Sequence, residues 1–200
     1  MRWRSLAGVL TLLLVLPGLR SPAVYAAGGD WPTYQYSSTR SGFNSIDTIL
    51  NPSSASHLKL HWTDTTSGAI SAQPVVANSI IYWGSWNVGL EHATDLNDNN
   101  VWTSKLGTTT DNNCYPTQVG VTSTATVATI GGESTLFVGG GNAKFYALNA
   151  ATGTMLWSTR LGSSPAHFLW SSPALFNGNV YEGVSSFGDC PPRARADDGT

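Results

Sequence analysis

The chain is poor in charge and in cysteine. Only 11% of its 200 residues are Asp, Glu, Lys or Arg, and only 2 are cysteine. Ten basic and 12 acidic side chains leave a net charge of −2. No basic stripe tracks a phosphate backbone, which argues against nucleic-acid binding. The C-x-x-C-H motif of covalent haem is missing, as are the G-x-S-x-G nucleophile elbow and the G-x-x-x-x-G-K-S/T phosphate loop. What the chain does have is 21 glycines, with Ser, Thr and Asn plentiful and aromatics at 10%. That profile suits an all-β extracytoplasmic protein, whose turns use Gly and Asn and whose strands use Thr, Val and aromatics.

The longest apolar run sits at the N-terminus. Arg2 and Arg4 precede an apolar stretch over residues 6–16, Pro17 breaks it, and Val24-Tyr25-Ala26 offers a cleavage site. The pattern predicts a secretory signal peptide over residues 1–26, too short to span a bilayer; a retained anchor is the alternative. Cleavage would remove three arginines, leaving 7 basic and 12 acidic residues on a secreted chain with no permanent membrane span.

A repeat dominates the remainder. Gly84 precedes Trp102 by 18 residues, Gly139 precedes Trp157 by the same distance, and Leu-Gly follows each tryptophan. A third copy opens at Trp170-Ser171-Ser172-Pro173-Ala174 and reaches Val180-Tyr181-Glu182-Gly183. Repeats of this length, rich in short strands and glycine turns, predict propeller blades. The second copy reads as strands over 120–129, 135–139, 143–148 and 154–160, with a glycine-rich hairpin at Gly140-Gly141-Asn142 where positive φ is tolerated. Residues 57–62 alternate polar and apolar and predict an outer strand ending in Trp62. The organisation expected is a leading segment and outer closing strand over 27–62, then blades over 63–200, namely 69–107, 120–162 and an incomplete 168–200.

Ala147-Leu148-Asn149-Ala150-Ala151-Thr152-Gly153, followed by Thr154-Met155-Leu156-Trp157, resembles the repeat of the pyrroloquinoline quinone (PQQ)-type β-propellers. Trp31-Pro32-Thr33-Tyr34 with Thr39-Arg40-Ser41-Gly42 is similar to the start of quinoprotein dehydrogenases and their secreted relatives. The resemblance implies a partial propeller of about two and a half four-stranded antiparallel blades, against rings of seven or eight. Arg193-Ala194-Arg195-Ala196-Asp197-Asp198-Gly199-Thr200 loosely echoes the turn before an outer strand, with no tryptophan strand after it. An incomplete third blade would leave an apolar face and an unpaired edge, open to self-association or a protein partner.

The resemblance also implies PQQ with calcium, held by carboxylates and amides. Glu182, inside a strand expected over 180–184, and Asp189, on the loop face where family cofactors bind, are the cofactor-binding candidates; an ordinary structural role is the alternative for both. Asp111, Asn112 and Asn113 form a possible ion-binding loop. Cys114 and Cys190 lie in loops expected on one propeller face, so a disulfide is possible, with two unpaired thiols the alternative. Such a bridge would stabilise by about 3–5 kcal/mol in the loop-entropy model. The cysteines are not adjacent, so the vicinal disulfide of alcohol-oxidising quinoproteins is absent. His57 and His61, four apart on a strand, would be about 13 Å apart and share no ion. His92 is expected exposed in a turn, His167 on the cysteine-bearing loop face. Trp62, Trp102 and Trp157 are periodic and read as packing, whereas Trp86 is a candidate surface contact.

The function expected is therefore a secreted PQQ-like propeller protein with a non-catalytic binding or scaffold role. The alternative is the N-terminal part of a PQQ-dependent quinoprotein dehydrogenase oxidising an alcohol or sugar.

Overall fold

The computed structural model describes residues 29–66, 68–110 and 117–186. One short helix, α1 (Pro52–Ala55), is followed by strands alone. The first blade is β1 (Val75–Ala77), β2 (Ile80–Ser85), β3 (Leu90–Asp95) and β4 (Asn100–Lys105), paired antiparallel in sequence order. Short strands β5 (Thr109–Thr110) and β6 (Gln118–Val119) pair with each other. The second blade is β7 (Thr126–Ile130), β8 (Glu133–Gly139), β9 (Lys144–Asn149) and β10 (Met155–Arg160). Then come β11 (His167–Phe168), β12 (Ala174–Phe176), β13 (Asn179–Tyr181) and β14 (Ser185–Ser186), pairing β12 with β13 and β11 with β14.

The two blades superpose in detail. Ala93 stands opposite Trp102, and Ala147 opposite Trp157, each beside a bulge that shifts the register of the outer strand. Tyr82, Phe137 and Tyr181 hold the same place opposite Val75, Thr126 and Ala174. The third copy is thus in register, and its described part is the inner hairpin.

Strand alternation decides which seam each residue fills. From the second blade, Leu136, Val138, Tyr146 and Leu148 face the first blade and join Tyr82, Ala93, Trp102 and Leu106 in one core. The intervening Phe137, Phe145 and Ala147 face the other way, against Leu169 and Leu175. Each blade therefore contributes one face to each of two seams, the arrangement of a stacked array.

Indole groups and glycines set the seam spacing. The Trp102 indole donates to the Ala150 carbonyl at 2.8 Å, and Ser104 donates to the Gly153 carbonyl at 3.0 Å. A Cβ on Gly153 would come within 2.6 Å of the Trp102 ring, so the turn approaches that closely only with glycine there. One repeat earlier, Trp62 donates to the Leu96 carbonyl at 2.9 Å; Leu96 and Ala150 hold matching places in their turns. Gly84 packs against Val121 and Gly139 against Leu169, again one contact repeated.

The leading segment ties these sheets together. Trp31 bridges Val76 through two backbone hydrogen bonds, and Val127 donates to the Pro32 carbonyl at 2.8 Å. Arg40 donates to the Thr33 hydroxyl, which pairs with Thr126, which donates to the Pro173 carbonyl. This relay joins the leading segment to the second and third repeats.

Three expectations need correction. Residues 57–62 form no strand: α1 ends in a turn at His57, whose Nδ1 bonds the Ser53 carbonyl, and Leu58 and Leu60 are exposed. No described strand lies beside this stretch to complete a ladder, yet Trp62 still reaches its turn carbonyl. Residues 120–125 are a buried irregular stretch between β6 and β7, not the first part of an inner strand. The third-copy strand stops at Tyr181, so Glu182 lies just beyond it.

Seam packing predicts unequal costs for two glycine substitutions. At Gly120 a Cβ would overlap the Trp86 carbonyl oxygen and the Gly89 Cα, whereas Gly131 has open space around it at φ +59°. Gly120→Ala is expected to cost more than about 3 kcal/mol or to abolish folding, and Gly131→Ala about 1 kcal/mol. Urea melts of the two variants against the parent chain provide the check.

Candidate functional site

The inner ends of the three repeats meet around one cavity of about 350 Å³. Tyr34 and Arg40 line it from the leading segment, Ser71 from the first repeat, Thr122 and Thr124 from the second, and Trp170, Ser171 and Ser172 from the third. Trp170 forms its aromatic rim, 39% exposed, with Trp86 edge-on to it at 5.1 Å. Trp86 also donates to the Ser71 hydroxyl. Trp86, expected as a surface contact, is half-buried, with one edge packed on Trp170.

Arg40 is fixed by its own hydrogen bonds. It donates to the Thr33 hydroxyl, to the Tyr34 carbonyl at 2.7 Å, and to the Ser172 and Pro173 carbonyls at 3.3 and 2.9 Å. Its guanidinium lies 5.6 Å over the Tyr34 ring. All these partners are neutral, so the positive charge is not cancelled by a hydrogen-bonded carboxylate. Burial lowers the pKa of Arg40, opposed by the nearby Tyr34 and Glu182.

Glu182 is the carboxyl of this region. Ser171 donates to its Oε1 at 2.9 Å, while its Oε2 is buried without a partner. Burial pushes its pKa up to about 8, against the lowering influence of Ser171 and Arg40. Near neutral pH it is mostly protonated, a donor and not a strong cation ligand.

The hydroxyls around the cavity have protons to spare. Ser71 accepts from Trp86, Thr124 accepts from the Gln73 backbone at 2.8 Å, and Tyr34 accepts from Gln35. Among the described residues, none of these three hydroxyls is spent as a donor. Arg40, whose four terminal N–H groups are given to protein oxygens, adds positive charge to these three spare donors, which suits the cavity to a ligand rich in acceptors.

The other sequence candidates fall elsewhere. Asp189, Cys190, Cys114 and the loop of Asp111, Asn112 and Asn113 lie outside the described residues, as does the expected signal peptide. His57 and His61 sit in the exposed turn after α1 and the extended stretch beyond it. His167 lies in β11 and bonds back to Ser163. His92 is not in an exposed turn: it lies in β3, half-buried and stacked on Trp83 at 3.9 Å, and burial lowers its pKa. Among the described residues, no cluster of three or more His, Cys, Asp or Glu is placed to hold a metal.

Sequence reasoning missed Glu91. It lies in β3, opposite Gly84 and Ser104, fully buried with neither carboxylate oxygen hydrogen-bonded. Burial raises its pKa well above the ordinary value, and its charge helps push Tyr82 up to about 12, behind burial and Asp30. The second blade has Phe145 at the matching place, opposite Gly139. Aligning the two repeats strand by strand would have exposed an acid where its counterpart is aromatic.

Comparison with known proteins accounts for the repeat. Residues 89–181 match a PQQ-repeat family model described as outer membrane protein assembly factor BamB. That stretch carries the PQQ-like propeller repeat. It is 26% identical over 189 residues to a 1-butanol dehydrogenase (cytochrome c) of Thauera butanivorans, covering 90% of this chain and 25% of that protein. The quinohemoprotein alcohol dehydrogenase of Comamonas testosteroni matches 78% of the chain with 23% of its own at 24% identity and a TM-score of 0.57. A second such enzyme, from Pseudomonas putida HK5, matches 79% of the chain with 23% of its own at 17% identity and a TM-score of 0.60. The chain thus spans about a quarter of these relatives, and the structural matches support the β-propeller fold alone.

Both raised carboxyls make stability fall with rising pH. In each, the folded form holds a proton that the unfolded chain releases near 4.5. Their stabilising contribution is full below that value and is lost as pH rises, for Glu182 through about 8. The melting temperature is therefore expected to drop between pH 5 and 8.5. Glu182→Gln should make the slope shallower, and adding Glu91→Gln shallower still. A slope unchanged in the double variant would count against this assignment; scanning calorimetry across the pH range decides.

Proposed function

We propose that this chain is an extracytoplasmic PQQ-like propeller segment that binds a small, carboxylate-bearing ligand in the inner cavity, without performing chemistry there. The observation that carries the reading is the imbalance of donors over acceptors. One guanidinium without a carboxylate partner and three hydroxyls with uncommitted protons converge there, beside a carboxyl that is mostly protonated near pH 7. Donors to a charged acceptor are worth more than neutral pairs, so such a cavity selects anions by hydrogen bonding. The Trp170 rim adds a flat apolar wall for a planar ligand.

PQQ itself, a planar quinone bearing carboxylates, meets this donor set. Ser71, Thr124 and Tyr34 would hold its carboxylates beside the Arg40 charge, and Trp170 would lie against its ring. When bound, PQQ supplies a quinone that accepts two electrons from an alcohol. The calcium that the family resemblance implies is less well served by the described residues. Glu182 is held near neutrality with one oxygen given to Ser171, which makes it a weak ligand for a hard cation.

Two further observations bear on role. The PQQ-repeat match described as outer membrane protein assembly factor BamB supports a scaffold function on the same propeller. The 26% identity to a 1-butanol dehydrogenase favours the alternative, the N-terminal part of a quinoprotein dehydrogenase.

Titration of the chain with PQQ, followed by tryptophan fluorescence with and without calcium, separates these readings. Saturable quenching independent of calcium, weakened about five- to tenfold by Thr124→Val or Ser71→Ala, is expected from loss of one charged hydrogen bond. Absence of saturation would overturn the cavity assignment. Dye reduction with 1-butanol above a control lacking quinone would replace the binding role with the enzymatic one.

A further inference from the structure

One hydroxyl stands between the inner cavity and a carboxyl behind its wall. Ser171 lines the cavity and donates to Glu182 Oε1 at 2.9 Å, and the Gly183 backbone N–H donates to the Ser171 hydroxyl at 2.7 Å. That hydroxyl is fixed, and its proton is spent within the fold. Glu182 Oε2 is buried and has no hydrogen-bond partner among the described residues. Arg40 lines the same cavity and favours the ionised carboxyl through its field. It cannot give Glu182 a hydrogen bond as well, because its terminal N–H groups are taken by Thr33, Tyr34, Ser172 and Pro173.

Among the described residues, few ionisable groups surround Glu182. The leading segment brings Arg40 and Tyr34, the latter beneath the Arg40 guanidinium. The stretch over 169–173 brings Ser171 and no acid or base. β13 ends in Tyr181, which is exposed, and β11 carries His167, which bonds back to Ser163. From the first and second repeats the cavity receives Ser71, Thr122 and Thr124, none of which titrates near neutrality. Two groups therefore set the charge at this end of the fold. Arg40 is permanently positive, and Glu182 is either neutral or negative. With the Glu182 proton in place the wall is net positive, and without it the two charges offset.

We propose that Glu182 is a proton gate on this cavity: a carboxylate-bearing ligand is held while Glu182 keeps its proton and is released when Glu182 ionises. The gate rests on the reading of the cavity as an anion site and adds its regulation. On ionisation the proton passes to solvent and the negative charge stays on the Glu182 oxygens, one hydrogen bond from the cavity. That charge offsets Arg40 and repels the ligand's carboxylate, and Ser171 has no second proton with which to bridge them. Glu182 titrates at about 8, so release falls just above neutrality. The coupling is reciprocal. A bound anion must hold the Glu182 proton to higher pH, so binding in that range takes protons from solution.

Titration calorimetry with PQQ at pH 6.5 and 8.5, in buffers of low and high ionisation enthalpy, reads affinity and proton uptake together. A tenfold preference for the protonated form is the equivalent of about one pKa unit of charge coupling. It predicts binding about threefold weaker at pH 8.5, with uptake of about half a proton per PQQ. Glu182→Gln, which cannot ionise, is expected to bind equally at both pH values and to lose the uptake. The uptake itself is read on the unaltered chain, so it decides even where the variant fails to fold. Equal affinity at both pH values with no uptake overturns the gate and leaves the anion site standing. A pH dependence that persists in Glu182→Gln overturns it too, since another group would then be titrating. PQQ that binds at neither pH removes the anion site, and the gate with it.

Discussion

The contact on which this architecture depends is an indole N–H of one sheet given to a turn carbonyl of the next. A β-sheet satisfies its own backbone except at turns, and turns packed into a seam would strand carbonyls away from water. Trp62 and Trp102 serve Leu96 and Ala150 in this way, and Trp102 buries its large apolar ring in the same seam. The solution demands a residue without Cβ beside the ring, and Gly153 provides it. Donor, ring and glycine form one unit, and changing any of the three would unseat the other two.

That unit explains why the fold was legible in the sequence. Its indole stands 18 residues after another seam glycine, Gly84 before Trp102 and Gly139 before Trp157, which betrays the period, and the blade pairing follows from it. Elements outside the unit were read less well. Residues 57–62 alternate as a strand should, but a strand needs a neighbour, and none of the described strands lies beside them; only Trp62 keeps its appointed contact. Residues 120–125 look β-forming in composition, yet they run irregularly through the place where two blades and the leading segment converge. Tertiary crowding there outweighs local propensity.

The candidate cavity was almost invisible for the same physical reason. Arg40, Tyr34, Ser71 and Trp170 come from segments that precede or join the blades, where no period constrains the residue type. Glu182 was singled out from its chemistry, and the structure places it beside Arg40 and Ser171, adjoining the cavity. Nothing in the sequence suggested that its environment would hold it near neutrality. The raised pKa comes from burial by neighbours distant in sequence, above all. Charge state at a site is a property of packing, and packing is what a one-dimensional pattern of residue types conveys least.

Glu91 sharpens the distinction between scaffold and site. Phe145 occupies the same register in the second blade and simply fills its seam, so the position has no intrinsic need for a carboxyl. An ionised carboxylate could not persist in that seam without a donor, and burial forces it to keep its proton. The first seam therefore carries an electrostatic cost that the second does not, in exchange for nothing the packing requires. The first seam buries Glu91 beside its indole, turn and glycine, so its stability carries a pH-dependent contribution that Phe145 does not add to the second. In a repeat array each interface contributes its own term to stability, so rising pH weakens the seam between the first and second blades through Glu91.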